Sequence, residues 1–362
     1  MRIFFYVLTF LFVINLTTSY GQLINIDINS QINDELQLTN ITENVDQVIF
    51  EIHPDYTFKS IVELECAGQY FFLHAQLWEG SRNINDFILQ YTTAGKFVRA
   101  IGLKEGYNSL RNIVCDTINN LLYLSSGDKD KTLLIYDFDG KLINKYDSFS
   151  EVNSYVIFKN ILWREYSTIS DDRKTMKYTF SRFDSRNMSE QKIYQFNDDE
   201  GVIGNTGVGF STNATYSTFK NDLYVSFGAI DNLIHKMQGN TLVPSVKINI
   251  TPKSSEMEDR FPTRFRGFIG SYLFINYSIK NKPKLFIYNT NTKKGYNFTD
   301  DNSLKNQGVW DNIYGTGYIT KLSKLNRSGY FYFVRSAGEL KEMPKGVSDK
   351  SHPIVYVAKI KE

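Results

Sequence analysis

The chain has 362 residues, of which 42% are hydrophobic, enough for a large buried core. Aromatic residues reach 15% with only 7 prolines, a composition that favours pleated strands over Pro-rich linkers. A formal net charge of +2, dispersed along the chain, gives no electrostatic footprint for nucleic acid or an anionic membrane.

The first element is an export signal. Arg2 supplies positive charge, residues 3–14 are almost wholly apolar, and small residues precede a predicted cut at Gln22. The apolar run is shorter than the roughly 20 residues a membrane span needs. Residues 1–21 are therefore expected to be a signal peptide and residues 22–362 a single domain, with no transmembrane segment after cleavage. No cysteine stands at the cut, so a lipid anchor is not expected.

Beyond Gln22, Leu23–Ile28 alternates apolar and polar residues as a half-exposed strand does. We expect this segment to return to the C-terminal sheet and close the fold. Residues 47–52 predict a separate strand leading into the first repeat.

From residue 58 onward the chain repeats. A strand-forming run ends in an aromatic or similar residue, turns, and resumes. The anchors are Tyr91, Tyr136, Phe183, His235 and Tyr288, spaced 45, 47, 52 and 53 residues apart, with a sixth copy at Tyr356. Each repeat also opens with a hairpin: 58–66 with 70–73, 110–115 with 121–124, 154–158 with 161–163, 216–219 with 223–227, 266–269 with 272–276, and 318–322 with 330–334. Asn, Gly and Asp at the junctions tolerate the left-handed backbone of tight hairpins. Strand-built repeats of this length predict a β-propeller. The expectation is an all-β, six-bladed β-propeller of four-stranded antiparallel blades, its ring closed by an N-terminal strand. Residues 338–352 are the longest irregular stretch.

Cys66 and Cys115 have no metal-type spacing. They occupy equivalent places in neighbouring repeats, which predicts two free thiols rather than a bridge.

Several stretches carry a family likeness: Gly95–Gly102, Val114–Leu124 followed by Leu134–Lys141, Leu233–Pro244 and Ser351–Ile360. In this order they resemble a family of exported six-bladed propellers of Bacteroidota related to TolB-like and NHL-repeat propellers. The likeness implies an extracytoplasmic domain, periplasmic or extracellular. Residues 103–107 depart from the family's Gly-rich loop, and the missing signal-site cysteine departs from its lipoproteins.

Chemical motifs are sparse. Neither a G-x-S-x-G elbow nor a phosphate-binding G-x-x-x-x-G-K-[ST] loop is present, and Gly201–Gly209 lacks the βαβ setting of a dinucleotide loop. The 4 histidines are scattered among different repeats. Asp116, Glu165, Asn205 and Asp311 are oxygen donors that a calcium-dependent, lactonase- or hydrolase-like propeller could converge. The sequence favours binding over catalysis, with no cofactor expected. Tryptophan beside charge is typical of recognition surfaces, which makes Trp163, Arg164, Glu165, Trp310, Asp311 and Trp78 the candidate binding residues. The expected partner is a protein or carbohydrate of the cell envelope, met by a monomer through loops on one face.

Overall fold

The computed structural model describes residues 23–27, 36–79, 82–102, 110–126, 132–147, 152–169, 176–184, 189–198, 215–227, 233–249, 264–279, 282–297, 308–315, 317–319, 322–342, 344, 347 and 353–361. Residues 1–22, Asn205 and the 103–107 and 201–209 loops lie outside the described residues.

Two strands precede the first blade, β1 (Ile24–Asp27) and β2 (Thr42–Val48). A single helical turn, α1 (Leu38–Ile41), lies between them. Blade 1 is β3 (Ser60–Ala67), β4 (Tyr70–Glu79), β5 (Arg82–Thr92) and β6 (Phe97–Ile101). Blade 2 is β7 (Leu110–Asp116), β8 (Leu121–Ser126), β9 (Leu133–Asp137) and β10 (Leu142–Tyr146). Blade 3 is β11 (Val152–Phe158), β12 (Ile161–Ile169), β13 (Met176–Asp184) and β14 (Ser189–Asp198). Blade 4 is β15 (Thr215–Phe219), β16 (Asp222–Ser226), β17 (Leu233–Gln238) and β18 (Thr241–Asn249). Blade 5 is β19 (Arg264–Ile269), β20 (Tyr272–Ile279), β21 (Lys282–Asn289) and β22 (Lys294–Asn297). A small hairpin, β23 (Val309–Trp310) with β24 (Tyr318–Ile319), precedes blade 6, which is β25 (Ser323–Lys324), β26 (Tyr330–Ser336), β27 (Pro353–Ile360) and β2. The fold is the expected six-bladed propeller.

The hairpins form where the sequence supplies left-handed residues. Lys159–Asn160 and Lys220–Asn221 each have positive φ at both positions, the two-residue turn whose twist matches the flanking strands. The repeat anchors are buried: Tyr91, Tyr136, Phe183, His235, Tyr288 and Tyr356 all lie in the core.

A blade cannot bury both of its faces alone, and the apolar clusters show how the ring solves this. Among the described residues there are six clusters of buried apolar side chains, one at each seam. Leu124 and Phe72 meet between blades 1 and 2, for example, and Phe286 and Ile234 between blades 4 and 5.

Ring closure uses a different N-terminal segment from the one expected. Antiparallel pairing runs from Thr42 opposite Ile360 to Val48 opposite Val355, so β2 is the outermost strand of blade 6. The Leu23–Ile28 region instead supplies β1, which pairs in parallel with β18 and adds a fifth strand to blade 4. Ile26 explains this attachment, because its side chain is buried with Val246 and Ile248 in the blade 4–5 seam. Blade 6 differs as well. Tyr318–Ile319, expected in its first strand, pairs with Val309–Trp310, and Ser323–Lys324 takes the inner position.

Both thiols are free. Cys66 packs into the seam between blades 6 and 1, while Cys115 is buried in the seam between blades 1 and 2. Blade 1 therefore stands between them.

Candidate functional site

The first strands of the blades, β3, β7, β11, β15, β19 and β25, converge on the ring axis and contact one another in order. Each has a ladder partner on one side only. Its inward N–H groups must find other acceptors or remain unsatisfied, which is costly away from water.

Side chains from the preceding blade meet this need. The Leu64 N–H donates to the Tyr332 hydroxyl at 3.1 Å and the Cys66 N–H to Asn326 Oδ1 at 2.7 Å, joining blade 6 to blade 1. Between blades 4 and 5, the Phe268 N–H donates to Ser217 Oγ at 2.8 Å, and the Ser217 hydroxyl donates to the Phe268 carbonyl at 3.0 Å. Gly267 is required here. Its φ is +130°, and a Cβ would stand 3.1 Å from Ser217 Oγ.

Between blades 1 and 2 a carboxyl group is the acceptor: the Ile113 N–H donates to Glu63 Oε2 at 3.2 Å, and Glu65 stands two residues along, near the Cys115 backbone. The two glutamates lie two residues apart on β3, so the strand period puts both on the face turned to blade 2. Each keeps a little accessible surface, yet desolvation dominates their chemistry. Burial pushes Glu63 up to about 7, against relief from the Ile113 N–H and from His74. Burial, reinforced by the neighbouring Glu63 charge, holds Glu65 well above the usual carboxylate range.

Lys324 completes the cluster. Its Nζ donates to Thr218 Oγ1 at 2.9 Å, a contact from blade 6 to blade 4 that reaches past blade 5 across the axis. Burial lowers its pKa to about 8, against the attraction of Glu65. Outward from Glu63, the opposite residue on β4 is His74. Its Nε2 lies 3.3 Å from Asp86 Oδ1, and both side chains are buried. Asp86 also accepts from Gln76 Nε2 at 2.8 Å. The inner strands thus carry carboxyl and ammonium groups whose charge changes near neutral pH.

The tryptophan-centred candidates fall in three places. Trp163 is buried between blades 3 and 4, stacked on Phe180 at 5.4 Å with its Nε1–H donating to the Phe158 carbonyl. Arg164, next along the strand, points to the other seam. Its guanidinium lies over the Tyr166 and Phe183 rings, and Nη2 is 3.1 Å from Glu190 Oε1. Glu165 is fully buried.

Trp310 is half-buried and edge-on to Tyr318 at 4.9 Å. Asp311 is fully buried. It accepts the Ile313 and Tyr314 N–H groups at 3.1 and 2.9 Å, and Arg335 Nη2 stands 3.5 Å from Oδ2. Gly315 makes room for this pair, since a Cβ there would meet Asp311 Oδ2 at 2.5 Å. Trp78 lies near the end of β4, and its side chain is outside the described residues.

Of the oxygen donors singled out for calcium, the described ones, Asp116, Glu165 and Asp311, do not converge. Asp116 sits at the hairpin end of β7, where it accepts the Ile118 and Asn119 N–H groups, each at 3.1 Å. Asp311 lies in the connection between blades 5 and 6. Among the described residues no three His, Cys, Asp or Glu side chains form a metal-type group.

Strand alternation gives the ring two unlike faces. The hairpins joining first to second strands, at 68–69, 117–120, 159–160, 220–221, 270–271 and 325–329, share one face. The connections into the next blade's first strand, at 49–59, 102–109, 147–151, 199–214, 250–263 and 298–322, end on the other. The end of β4 that carries Trp78 and the β23–β24 hairpin that carries Trp310 belong to this second face, on adjacent blades. Trp163 lies next to the hairpin face.

No family model and no curated protein matches the chain. Among solved structures, a Bacteroides fragilis protein named as exported matches with a TM-score of 0.66 at 12% identity, covering 94% of this chain and 100% of that one. An acylaminoacyl peptidase from Pyrococcus horikoshii matches at 0.44 and 12% identity, covering 81% of this chain and 46% of that one. The propeller domain of the Trilobed protease from Pyrococcus furiosus matches at 0.41 and 13% identity, covering 80% of this chain and 86% of that one. At these identities the likeness concerns the fold.

Proposed function

We propose that this propeller is exported and serves as a recognition module, binding a protein or carbohydrate of the cell envelope on the face that carries the long connections. The observation behind this reading is the contrast between the two faces. One is made of hairpins two to five residues long, and the other gathers connections as long as 298–322. Long connections held by a rigid scaffold are where binding surfaces arise. Trp310 provides an aromatic anchor on that face, with Asp311 shaping its turn, and Trp78 belongs to the strand end on the same face. Trp163, Arg164 and Glu165 support the seams beneath.

Export is supported by residues 1–21, and the name of the Bacteroides fragilis structure agrees with it. The ordered blade sequences favour a TolB-like or NHL-like relationship.

Two measurements test the reading. N-terminal sequencing of the protein recovered from the cell envelope or medium should begin at Gln22. Cross-linking on intact cells should then yield a defined envelope protein or glycan, lost with Trp310→Ala or Trp78→Ala and kept with Trp163→Phe. Equal recovery by all three variants would overturn the assignment of the face.

A further inference from the structure

We propose that the seam between blades 1 and 2 is a proton-responsive joint, closed while Glu63 and Glu65 are protonated and loosened when they ionise together. The argument starts from how the inner edges are satisfied. Between blades 6 and 1 the acceptors are a phenol and an amide, and between blades 4 and 5 a hydroxyl. None of these changes charge near neutral pH. Between blades 1 and 2 the acceptor is the Glu63 carboxyl, with the Glu65 carboxyl beside it on the same strand face. Of these three inner seams it is the one held by a group that changes charge near neutral pH.

The chemistry follows from the surroundings. A protonated carboxyl still accepts a backbone N–H through its carbonyl oxygen, so the acid form of Glu63 keeps its link to Ile113 at no charge cost. Ionising both places two negative charges two residues apart in a site that penalises either one. Glu65 Oε2 is buried without a hydrogen-bond partner.

The groups facing the pair come from every neighbouring element. His74 on β4 faces Glu63 and is itself paired with Asp86 on β5. Lys324 on β25 faces Glu65, and Tyr332 on β26 faces both glutamates. Cys115 on β7 adjoins both as well, with Asp116 behind it. Cys66 adjoins Glu65, with Arg327 behind it. Lys324 attracts Glu65 through space, while its Nζ donates to Thr218 Oγ1.

The sign is fixed by direction. Glu63 titrates near 7 in the folded protein and near 4.5 when exposed, so the folded state holds its proton more tightly. Its stabilising effect is complete below about pH 4.5 and is lost as pH rises through about 7. Lys324 acts oppositely from about pH 8 upward, so it opposes the carboxyls at the top of the window from 6 to 8.

Cys115 is a built-in reporter, since it is buried in this seam while Cys66 lies in the next one. In a Cys66→Ser background, alkylation of Cys115, corrected for the rate of the unfolded chain at each pH, should rise about tenfold from pH 6 to 8. Glu63→Gln with Glu65→Gln should flatten that rise. If the double variant does not fold, amide exchange in the unmodified protein decides. Protection at Ile113 and Cys115 should fall across this window while protection at Leu64 and Cys66 holds. Equal pH dependence in wild type and variant, or parallel loss of protection at both seams, would overturn the proposal.

Discussion

Ser217→Ala is a direct probe of how the inner strands are held. Removing one oxygen from the blade 4–5 seam deletes two hydrogen bonds, to the N–H and the carbonyl of Phe268. Ser217 and Phe268 are both buried, so water cannot readily take over. An orphaned buried donor costs about 1–3 kcal/mol, and losing the second bond adds roughly 1 kcal/mol. We expect a total of about 2–4 kcal/mol. A six-bladed ring need not unfold in one step, so denaturation alone is an ambiguous assay. Amide exchange at Phe268 reads the seam directly and should lose most of its protection, while Ile113 and Leu64, in other seams, keep theirs. Unchanged protection at Phe268, with denaturation shifted by less than about 0.5 kcal/mol, would refute the idea that seam side chains satisfy the inner edges.

Other outcomes follow from the same geometry. Trp163→Ala leaves a void between blades 3 and 4 and should destabilise by about 3–5 kcal/mol in chemical denaturation, whereas Trp310→Ala, at a half-buried site, should cost much less. Gly315→Ala drives a Cβ into the Asp311–Arg335 pair, so the melting temperature should drop by several degrees, with the change in exchange concentrated at Ile313 and Tyr314. Reductant should leave the melting temperature unchanged, because the two thiols lie in different seams. Deleting residues 1–48 bares the edge of β27 and should yield aggregated or partly unfolded protein by scattering and circular dichroism.

Much of the architecture was legible because blades are local objects. Lys159–Asn160 and Lys220–Asn221 announce their hairpins without reference to anything distant, and the buried anchors recur at readable intervals. Errors came where a strand is defined by what it lies against. Thr42–Val48 reads poorly as a strand because five of its seven residues are polar or charged, as suits an outermost strand with one side to solvent. Leu23–Ile28 alternates more clearly, yet what decides its partner is the slot for Ile26 in a distant seam. Lys324 lies in a strand two residues long, with no pattern to reveal it.

The candidate site was harder still. Glu63 and Glu65 interrupt an apolar run at alternate positions, Ile61-Val-Glu-Leu-Glu-Cys66. Two acids on one face of a strand that opens a blade were a usable signal, but the ring geometry that sets them against β7 is not local. Trp163-Arg164-Glu165 attracted notice as a contiguous group. Adjacent strand residues point to opposite faces, so its members serve different seams.

The clasp between β2 and β27 has a kinetic corollary. A chain made from its N-terminus offers Thr42–Val48 hundreds of residues before Pro353–Ile360 exists to receive it. Throughout synthesis, and through any passage across a membrane, that ribbon is an unpaired template for other molecules. Glu43 and Asp46 give it charge while it waits, and in the finished ring Lys359 meets Glu43. Completion therefore waits on Pro353–Ile360, so the ring remains a threadable string until that strand has been made.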